Sequence, residues 1–279
     1  MSSIMVFGGS RGIGSMVAEH LINSGHQVSV VSRNAESLDK FKKVIARKNL
    51  YAKVIVADIA NARDVARAFK SHREKWLSDA DVVINCAAIQ GPIGNSWEVN
   101  ATEWEETVKV NLLGSFFVAR AAIKQMMKKG HGSIIMFSGG GAAYARPRFS
   151  AYGVSKTGIL RMVETIAKEL EQTGCLNIII NAVAPGAVKT RMTREVLKAG
   201  SKAGKKDFEE ATQVLQTGGT SSTEITDLID FLIDLEANCG LTGRLIHVRE
   251  DYRSLIKDFG DNVPDDIGKI RRIPIRETR

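Results

Sequence analysis

The chain is poor in cysteine, proline and aromatic residues. Its three cysteines, Cys86, Cys175 and Cys239, are odd in number and widely separated along 279 residues. They predict no disulfide framework and read as small buried hydrophobes. Neither a Cys-x-x-Cys nor a His-x-x-x-His pair occurs, so no metal centre is expected. Only five prolines are present, no Pro- or Ser-rich stretch divides the chain, and no internal repeat is found, which predicts one domain over residues 1–279. Aromatics make up 6% and the basic residues are dispersed rather than interleaved with them, so the net charge of +8 does not point to nucleic acid. No apolar run approaches the roughly 18 residues of a membrane span, and no membrane partner is expected. Met1-Ser2-Ser3 leads directly into Ile4-Met5-Val6-Phe7 without a basic region or cleavage site, so a signal peptide is not expected and a cytoplasmic location is.

What is present is a regular alternation. Short β-branched runs at 4–7, 27–32, 53–57, 81–84, 133–137, 177–183 and 244–248 read as buried strands, with helical patterns between them. Seven strands with helical spacers predict an α/β fold, a doubly wound parallel sheet with helices on both faces. Gly25 is placed to end the first helix, Asn61 to cap the one after the third strand, and Ser221 with Glu224 to form a capping box. Residues 189–219 break the rhythm, being Lys-rich and interrupted by Gly200 and Gly204. They read either as a helical flap over the carboxyl edge of the sheet or as a solvated surface hairpin.

Between the first strand and the first helix lies Gly8-Gly9-Ser10-Arg11-Gly12-Ile13-Gly14. Glycines there let the backbone turn sharply and approach a pyrophosphate, whose charge meets the free N–H groups at the helix start. A glycine cluster in that context predicts a dinucleotide site. The second strand ends Val30-Val31-Ser32-Arg33 without a carboxylate for a ribose hydroxyl, and Arg11 lies in the glycine loop. Ser32, Arg33 and Arg11 suit a 2′-phosphate, so NADP(H) is expected over NAD(H).

Tyr152 and Lys156 stand one helical turn apart in Tyr152-Gly153-Val154-Ser155-Lys156, ahead of a helix patterned on Ile159, Val163, Ile166 and Leu170. Residues four apart share one helix face. The ammonium is therefore expected beside the phenol, pulling its pKa from about 10 toward neutrality and making it a proton donor. Ser138, closing an apolar strand, reads either as a strand-end polar cap or as a donor to a substrate oxygen.

With Asn85 and Asn111 added, the chain resembles the short-chain dehydrogenase/reductase family from Ile4 to about Val248. Gly8, Gly12 and Gly14 meet its Gly-x-x-x-Gly-x-Gly loop, which Ser10, Arg11 and Ile13 complete. Asp58, followed by Ile59, meets its adenine-contacting Asp, and Asn85-Cys86-Ala87-Ala88 its Asn-Asn-Ala-Gly segment. Pro185-Gly186-Ala187-Val188-Lys189-Thr190 meets the segment that closes over the nicotinamide. The resemblance implies a Rossmann-type fold, with Asn111, Ser138, Tyr152 and Lys156 as the catalytic set. It further implies that Lys156 binds the nicotinamide ribose, that a kink at Asn111 holds a water in a proton relay, and that the protein is a homodimer or homotetramer. The expected activity is NADP(H)-dependent interconversion of a ketone and a secondary alcohol; a catalytically silent dinucleotide sensor is the alternative, and an unbroken proton relay argues against it.

The sequence departs from the family at Phe7, where Thr is usual, and at Cys86-Ala87-Ala88. It also continues past its last strand through an extension, residues 249–279, where acyl-carrier-protein reductases of the family usually end after Asp-Gly-Gly, which argues against fatty-acid synthesis as the default role. Substrate lining is expected from residues 88–95, from 139–149 with Arg146 and Arg148, and from the flap with Lys189, Arg191, Arg194 and Lys198. These cations either hold a small polar or anionic substrate, such as a sugar nucleotide, a sugar or a carrier-bound 3-oxoacyl group, or are solvated. The stretch 269–276, basic and apolar by turns, either crosses a neighbouring subunit or is disordered.

Overall fold

Every residue of the first strand, β1 (Ser3–Phe7), is buried, Ile4 and Val6 toward one layer of helices, Met5 and Phe7 toward the other. A strand covered on both faces has no polar side to present, which is why the run reads as continuously apolar. The computed structural model describes residues 1–139, 141–260 and 262–270. In it β1 pairs in parallel with β2 (Gln27–Ser32) and with β4 (Val82–Asn85). The sheet is extended by β3 (Lys53–Val56) on one side and by β5 (Gly132–Phe137), β6 (Ile178–Ala184) and β7 (Leu245–His247) on the other. All neighbours are parallel, in the order β3-β2-β1-β4-β5-β6-β7.

One helical layer is built by α1 (Gly12–Asn23), α2 (Ala35–Ala46) and α9 (Ser222–Ile233), which bury Val17, Leu21, Phe41 and Leu228 against one face. The other is built by α3 (Ala62–Trp76), α5 (Gly114–Lys129) and α6 (Ser150–Gln172), which bury Phe69, Val118, Ile159 and Val163. The expected doubly wound α/β sheet of seven parallel strands is therefore what the chain forms. Strand ends differ from the sequence expectation by at most one residue, because hydrogen-bonding neighbours decide where a ladder stops. The short edge strand β7 follows the three Cα partners it finds on β6.

Local signals act as their chemistry predicts. Asn61 Oδ1 accepts from the N–H groups of Arg63 and Asp64, and Ser221 and Glu224 cap α9 reciprocally. The stretch 189–219 is helical, with α7 (Arg191–Ala199), a 3₁₀ turn (Gly200–Ala203) and α8 (Lys205–Thr217). The expectation of three buried cysteines is corrected: Cys86 and Cys175 are half-buried, and Cys239 is exposed. The buried Asn238 amide takes the carbonyls of Phe231 and Leu232 at 3.4 and 3.2 Å, and leaves Cys239 on the outside of the turn with φ 47°.

The described part of the extension folds onto its own chain. Helix α10 (Tyr252–Phe259) sets Tyr252 against Phe231 with ring centroids 4.9 Å apart. Beyond it, Arg244 donates to the carbonyls of Val263, Pro264 and Ile267, and the Leu245 N–H donates to Gly268, so this segment screens the open edge at β7. Of the basic stretch 269–276, residues 271–276 lie outside the described residues; Ile270 donates to Glu164 and accepts from Arg161. Among the described residues, no helix is long and apolar enough to cross a membrane.

Candidate active site

Strand order reverses between β1 and β4, and the loops leaving their carboxyl ends diverge there to open a crevice. The glycine loop follows β1 and is anchored by Gly8 and Gly9, whose N–H groups donate to the Val31 carbonyl. Gly8 has φ +73°, and a Cβ there would stand 2.5 Å from the Ala87 nitrogen. A Cβ on Gly14 would stand 2.3 Å from the Gly8 carbonyl oxygen. Only glycine permits this approach of α1 to the loop and of the loop to the end of β4. Helix α1 begins without a side-chain cap, so its first N–H groups face the crevice unsatisfied by Arg11.

Across the crevice, a Cβ on Gly12 would lie 3.6 Å from the Thr190 methyl, so the segment after β6 closes the opposite wall. In that segment Pro185 is buried, Gly186 has φ +69°, and Val188 bridges to Gly219. The Thr220 hydroxyl beside Gly186 is buried without a hydrogen-bond partner among the described residues. A glycine cradle, an uncapped helix start and an orphaned buried hydroxyl fit a dinucleotide.

The other expected contacts sort by what they touch. Ser10 Oγ is 2.7 Å from Ser37 Oγ and ties the loop to α2, while Ile13 packs on the core. Ser32 Oγ accepts from the Asn34 N–H at 3.4 Å. Arg11 and Arg33 are exposed, and neither has an ionic or hydrogen-bonding partner among the described residues. Asp58 Oδ1 accepts from the Ala60 N–H, and Ile59 packs where a Cβ on Gly114 would stand 2.7 Å away. Asn85 turns inward, accepting from the Ala87 N–H and donating to Ser115 Oγ.

The chemistry-bearing side chains converge beside this crevice at the end of β5. Burial of Ile159, Val163 and Leu170 pins α6 on the sheet and brings its first turn over Ser138. A Cβ on Gly139 would lie 2.9 Å from the Tyr152 hydroxyl, which places that hydroxyl over the backbone next to Ser138. Ser138 Oγ donates to the Lys156 carbonyl at 3.3 Å, and Lys156 Nζ donates to the Phe137 carbonyl at 2.7 Å, 5.6 Å from the centre of the Tyr152 ring. Asn111 lies in a π-helical turn (Lys109–Leu113) between α4 (Ala101–Val108) and α5, where the Gly114 N–H reaches back to Lys109. Such a widened turn is frequent at functional sites. Its amide is fully buried, paired both ways with the Ile89 backbone at 2.9 Å and donating to Ser155 Oγ at 3.1 Å.

Two members of this network escaped the sequence reading. Ser155 donates to the Tyr152 carbonyl and joins Asn111 to α6; Ser115 donates to the Asn111 carbonyl. Their signal is spacing, since Ser115 follows Asn111 by four and Ser155 follows Tyr152 by three.

The expected acidification of Tyr152 by Lys156 is corrected. Burial beneath the flap raises the phenol above its ordinary value, and the opposing charge is that of Arg146. Lys156 has turned its ammonium to the Phe137 carbonyl, and burial lowers it from 10.5 to about 8. Burial likewise pushes the Cys86 thiol up.

The Lys156 shift has a signed consequence for stability. Below pH 8 both folded and unfolded chains carry the proton, and the buried ammonium costs stability. Between pH 8 and 10.5 the folded chain releases the proton first, so this group favours folding increasingly as pH rises, by on the order of 3 kcal/mol at most. Denaturant midpoints of wild type and Lys156→Met should therefore differ most below pH 8 in the variant's favour, the gap closing toward pH 10. A gap independent of pH would contradict the shift.

The comparisons agree with this geometry. A family model described as short chain dehydrogenase matches residues 2–200. Dehydrogenase/reductase SDR family member 4 of Homo sapiens is 27% identical over 248 residues, covering 88% of this chain and 84% of the relative. A 3-oxoacyl-(acyl-carrier-protein) reductase of Aquifex aeolicus is 28% identical over 245 residues, covering 88% and 94%. A crystal structure of an actinorhodin polyketide ketoreductase variant with NADPH superposes with a TM-score of 0.78 at 26% identity, covering 88% of this chain and 94% of that one. A parallel sheet with a glycine cradle after β1 and a Ser, Tyr and Lys group at the end of β5, matched by a family model over most of its length, places this chain in the short-chain dehydrogenase/reductase family.

Proposed function

We propose that the protein is an NADP(H)-dependent oxidoreductase that interconverts a ketone and a secondary alcohol on a polar or anionic substrate. The observation that carries this reading is the convergence of Ser138, Tyr152 and Lys156 at the end of β5, beside the crevice lined by the glycine loop. A nicotinamide dinucleotide, when bound, supplies the hydride that adds to the carbonyl carbon. The glycine loop, Asn85 to Ala87, the segment Pro185 to Thr190 and Lys156 would hold it. Tyr152 delivers the proton to the carbonyl oxygen, and Ser138, turning its hydroxyl from the Lys156 carbonyl, donates a hydrogen bond to that oxygen as charge develops. Lys156, its ammonium 5.6 Å from the centre of the Tyr152 ring, returns a proton to the phenolate left behind, and the Asn111 and Ser155 pair keeps the first turn of α6 in place.

The preference for a phosphorylated coenzyme rests on Arg33, which directly follows Ser32 at the end of β2, and Arg11 of the glycine loop, two exposed guanidiniums without protein partners among the described residues. Arg33→Asp removes a cation and installs a carboxylate suited to a ribose hydroxyl. We expect the ratio of kcat/KM with NADPH to that with NADH to fall at least about tenfold, since a charge-assisted contact becomes a repulsion. An unchanged ratio, measured with any ketone that is turned over, would refute the assignment. Leu113, Phe116 and Val154 lie exposed near the site on the π turn, α5 and α6, and support pairing of two copies through these helices. Its chemistry on a freely diffusing carbonyl compound suits a cytoplasmic enzyme.

A further inference from the structure

Nine cations lie on the segments bordering the site, and the fold commits them differently. Arg191 pairs with Glu195 at 2.7 Å, and Lys189, Arg194 and Lys198 are exposed on the flap. Arg148, held at φ 73°, donates through Nη1 to the carbonyls of Ser201 and Lys202 and fastens the turn before α8. Arg146 is different. Its Nε donates to Asp207 of α8 at 2.6 Å in a largely buried pair, the side chains being 22% and 14% exposed. Its guanidinium carbon stands 3.9 Å from the centre of the Phe149 ring. Stacking and the Nε bond fix the plane of the fork. The outer edge, Nη1 and Nη2, has no acceptor among the described residues.

The position of this fork matters as much as its freedom. Arg146 starts beside Gly141, which packs against Gly153, the neighbour of Tyr152. Phe149, on which the guanidinium stacks, belongs to the apolar cluster that includes Tyr152, Val196 and Ala203 beneath the flap. Helix α6 begins at this point without a side-chain cap, adding the partial positive charge of its N-terminus. Asp207 neutralises the buried guanidinium, while the four N–H groups of the outer edge stay available in a water-poor setting, where a charge-assisted bond is strongest.

Resting on the ketone-reductase reading of the site, we propose that the outer edge of Arg146 binds a carboxylate or phosphate carried by the substrate near its reacting carbonyl, with Asp207 orienting the fork. Arg146 is thus a specificity-determining residue, and the other eight cations are not needed for recognition.

The test is charge selectivity within matched pairs, 4-oxopentanoate against its methyl ester and dihydroxyacetone phosphate against dihydroxyacetone. Two readouts are taken: NADPH oxidation, and calorimetric affinity of each compound for the NADP⁺-loaded protein. Wild type should favour the anionic member of at least one pair by about tenfold or more in kcat/KM and in Kd, and the pair showing it separates carboxylate from phosphate. Arg146→Gln should erase that preference, with a smaller loss on the neutral member because the Arg146 charge also bears on Tyr152, and Arg146→Lys, which keeps charge but loses the fork, should retain part of it. Asp207→Asn should weaken the preference without removing it. Equal losses on both members in Arg146→Gln, or no charge preference in a wild type that turns over neutral ketones, overturn the role of Arg146 and leave the reductase reading standing. Failure of every ketone to oxidise NADPH overturns both.

Discussion

Tyr152→Phe is expected to lower kcat for ketone reduction by at least about 10²–10⁴-fold, the range typical of a lost general acid, with coenzyme affinity and thermal stability nearly unchanged. The stability half of this expectation comes from the geometry. The Tyr152 hydroxyl makes no hydrogen bond among the described residues and sits over the Gly139 backbone, its ring packed with Phe149 and Val196. Phenylalanine keeps that packing and orphans no partner, so the cost is kinetic. Burial holds the phenol neutral in the free protein, which is the form that gives up a proton, and regeneration of that form falls to Lys156 and the Asn111 network. Stopped-flow NADPH oxidation with saturating ketone, alongside a melting curve, reads both halves. Turnover near the wild-type value would remove Tyr152 from the reaction.

Gly8→Ala should damage both fold and coenzyme binding, and Gly25→Ala is its internal control. Both glycines have positive φ, +73° and +82°, so either alanine meets left-handed strain of about 1 kcal/mol. At Gly25 nothing lies within 4 Å of the added carbon, and the strain is the whole effect. At Gly8 the carbon would stand 2.5 and 2.6 Å from the Ala87 nitrogen and Cα, backbone atoms that cannot swing aside as a side chain can. Relief requires parting β1 from the end of β4, the two walls of the crevice. We expect a loss of roughly 3 kcal/mol or more and at least a tenfold rise in the Kd for NADPH in whatever fraction folds. Equal stability losses in the two variants would mean that the loop is not pressed against β4 as described.

Much of this architecture was legible because parallel strands buried on both faces are apolar over most of their length, as Ile4 to Phe7 and Ile178 to Ile180 are. Helix punctuation was legible for a similar reason: Asn61 and the pair Ser221 and Glu224 act within three residues of themselves. Contacts across long stretches of sequence were not. Arg146 meets Asp207 sixty-one residues away, and Arg244 meets the extension nineteen to twenty-three residues on, with no local pattern to announce either. The electrostatics of the site were misjudged for the same reason. The i, i+4 spacing of Tyr152 and Lys156 puts the two on one face, but the Phe137 carbonyl at 2.7 Å takes the ammonium, and flap burial raises the phenol. Spacing fixes which residues are neighbours; burial and competing acceptors, which depend on the rest of the chain, fix their protonation.

The account turns on whether the Tyr152 hydroxyl faces the reacting end of a bound dinucleotide, and a crystal structure with NADP⁺ is the most direct measurement of it. The predicted result is a pyrophosphate against the Gly8 to Gly14 loop, a 2′-phosphate between Arg11 and Arg33, and the nicotinamide ring opposite Tyr152 and Ser138. A dinucleotide bound elsewhere, or a nicotinamide separated from the Tyr152 hydroxyl by the chain itself, would contradict it.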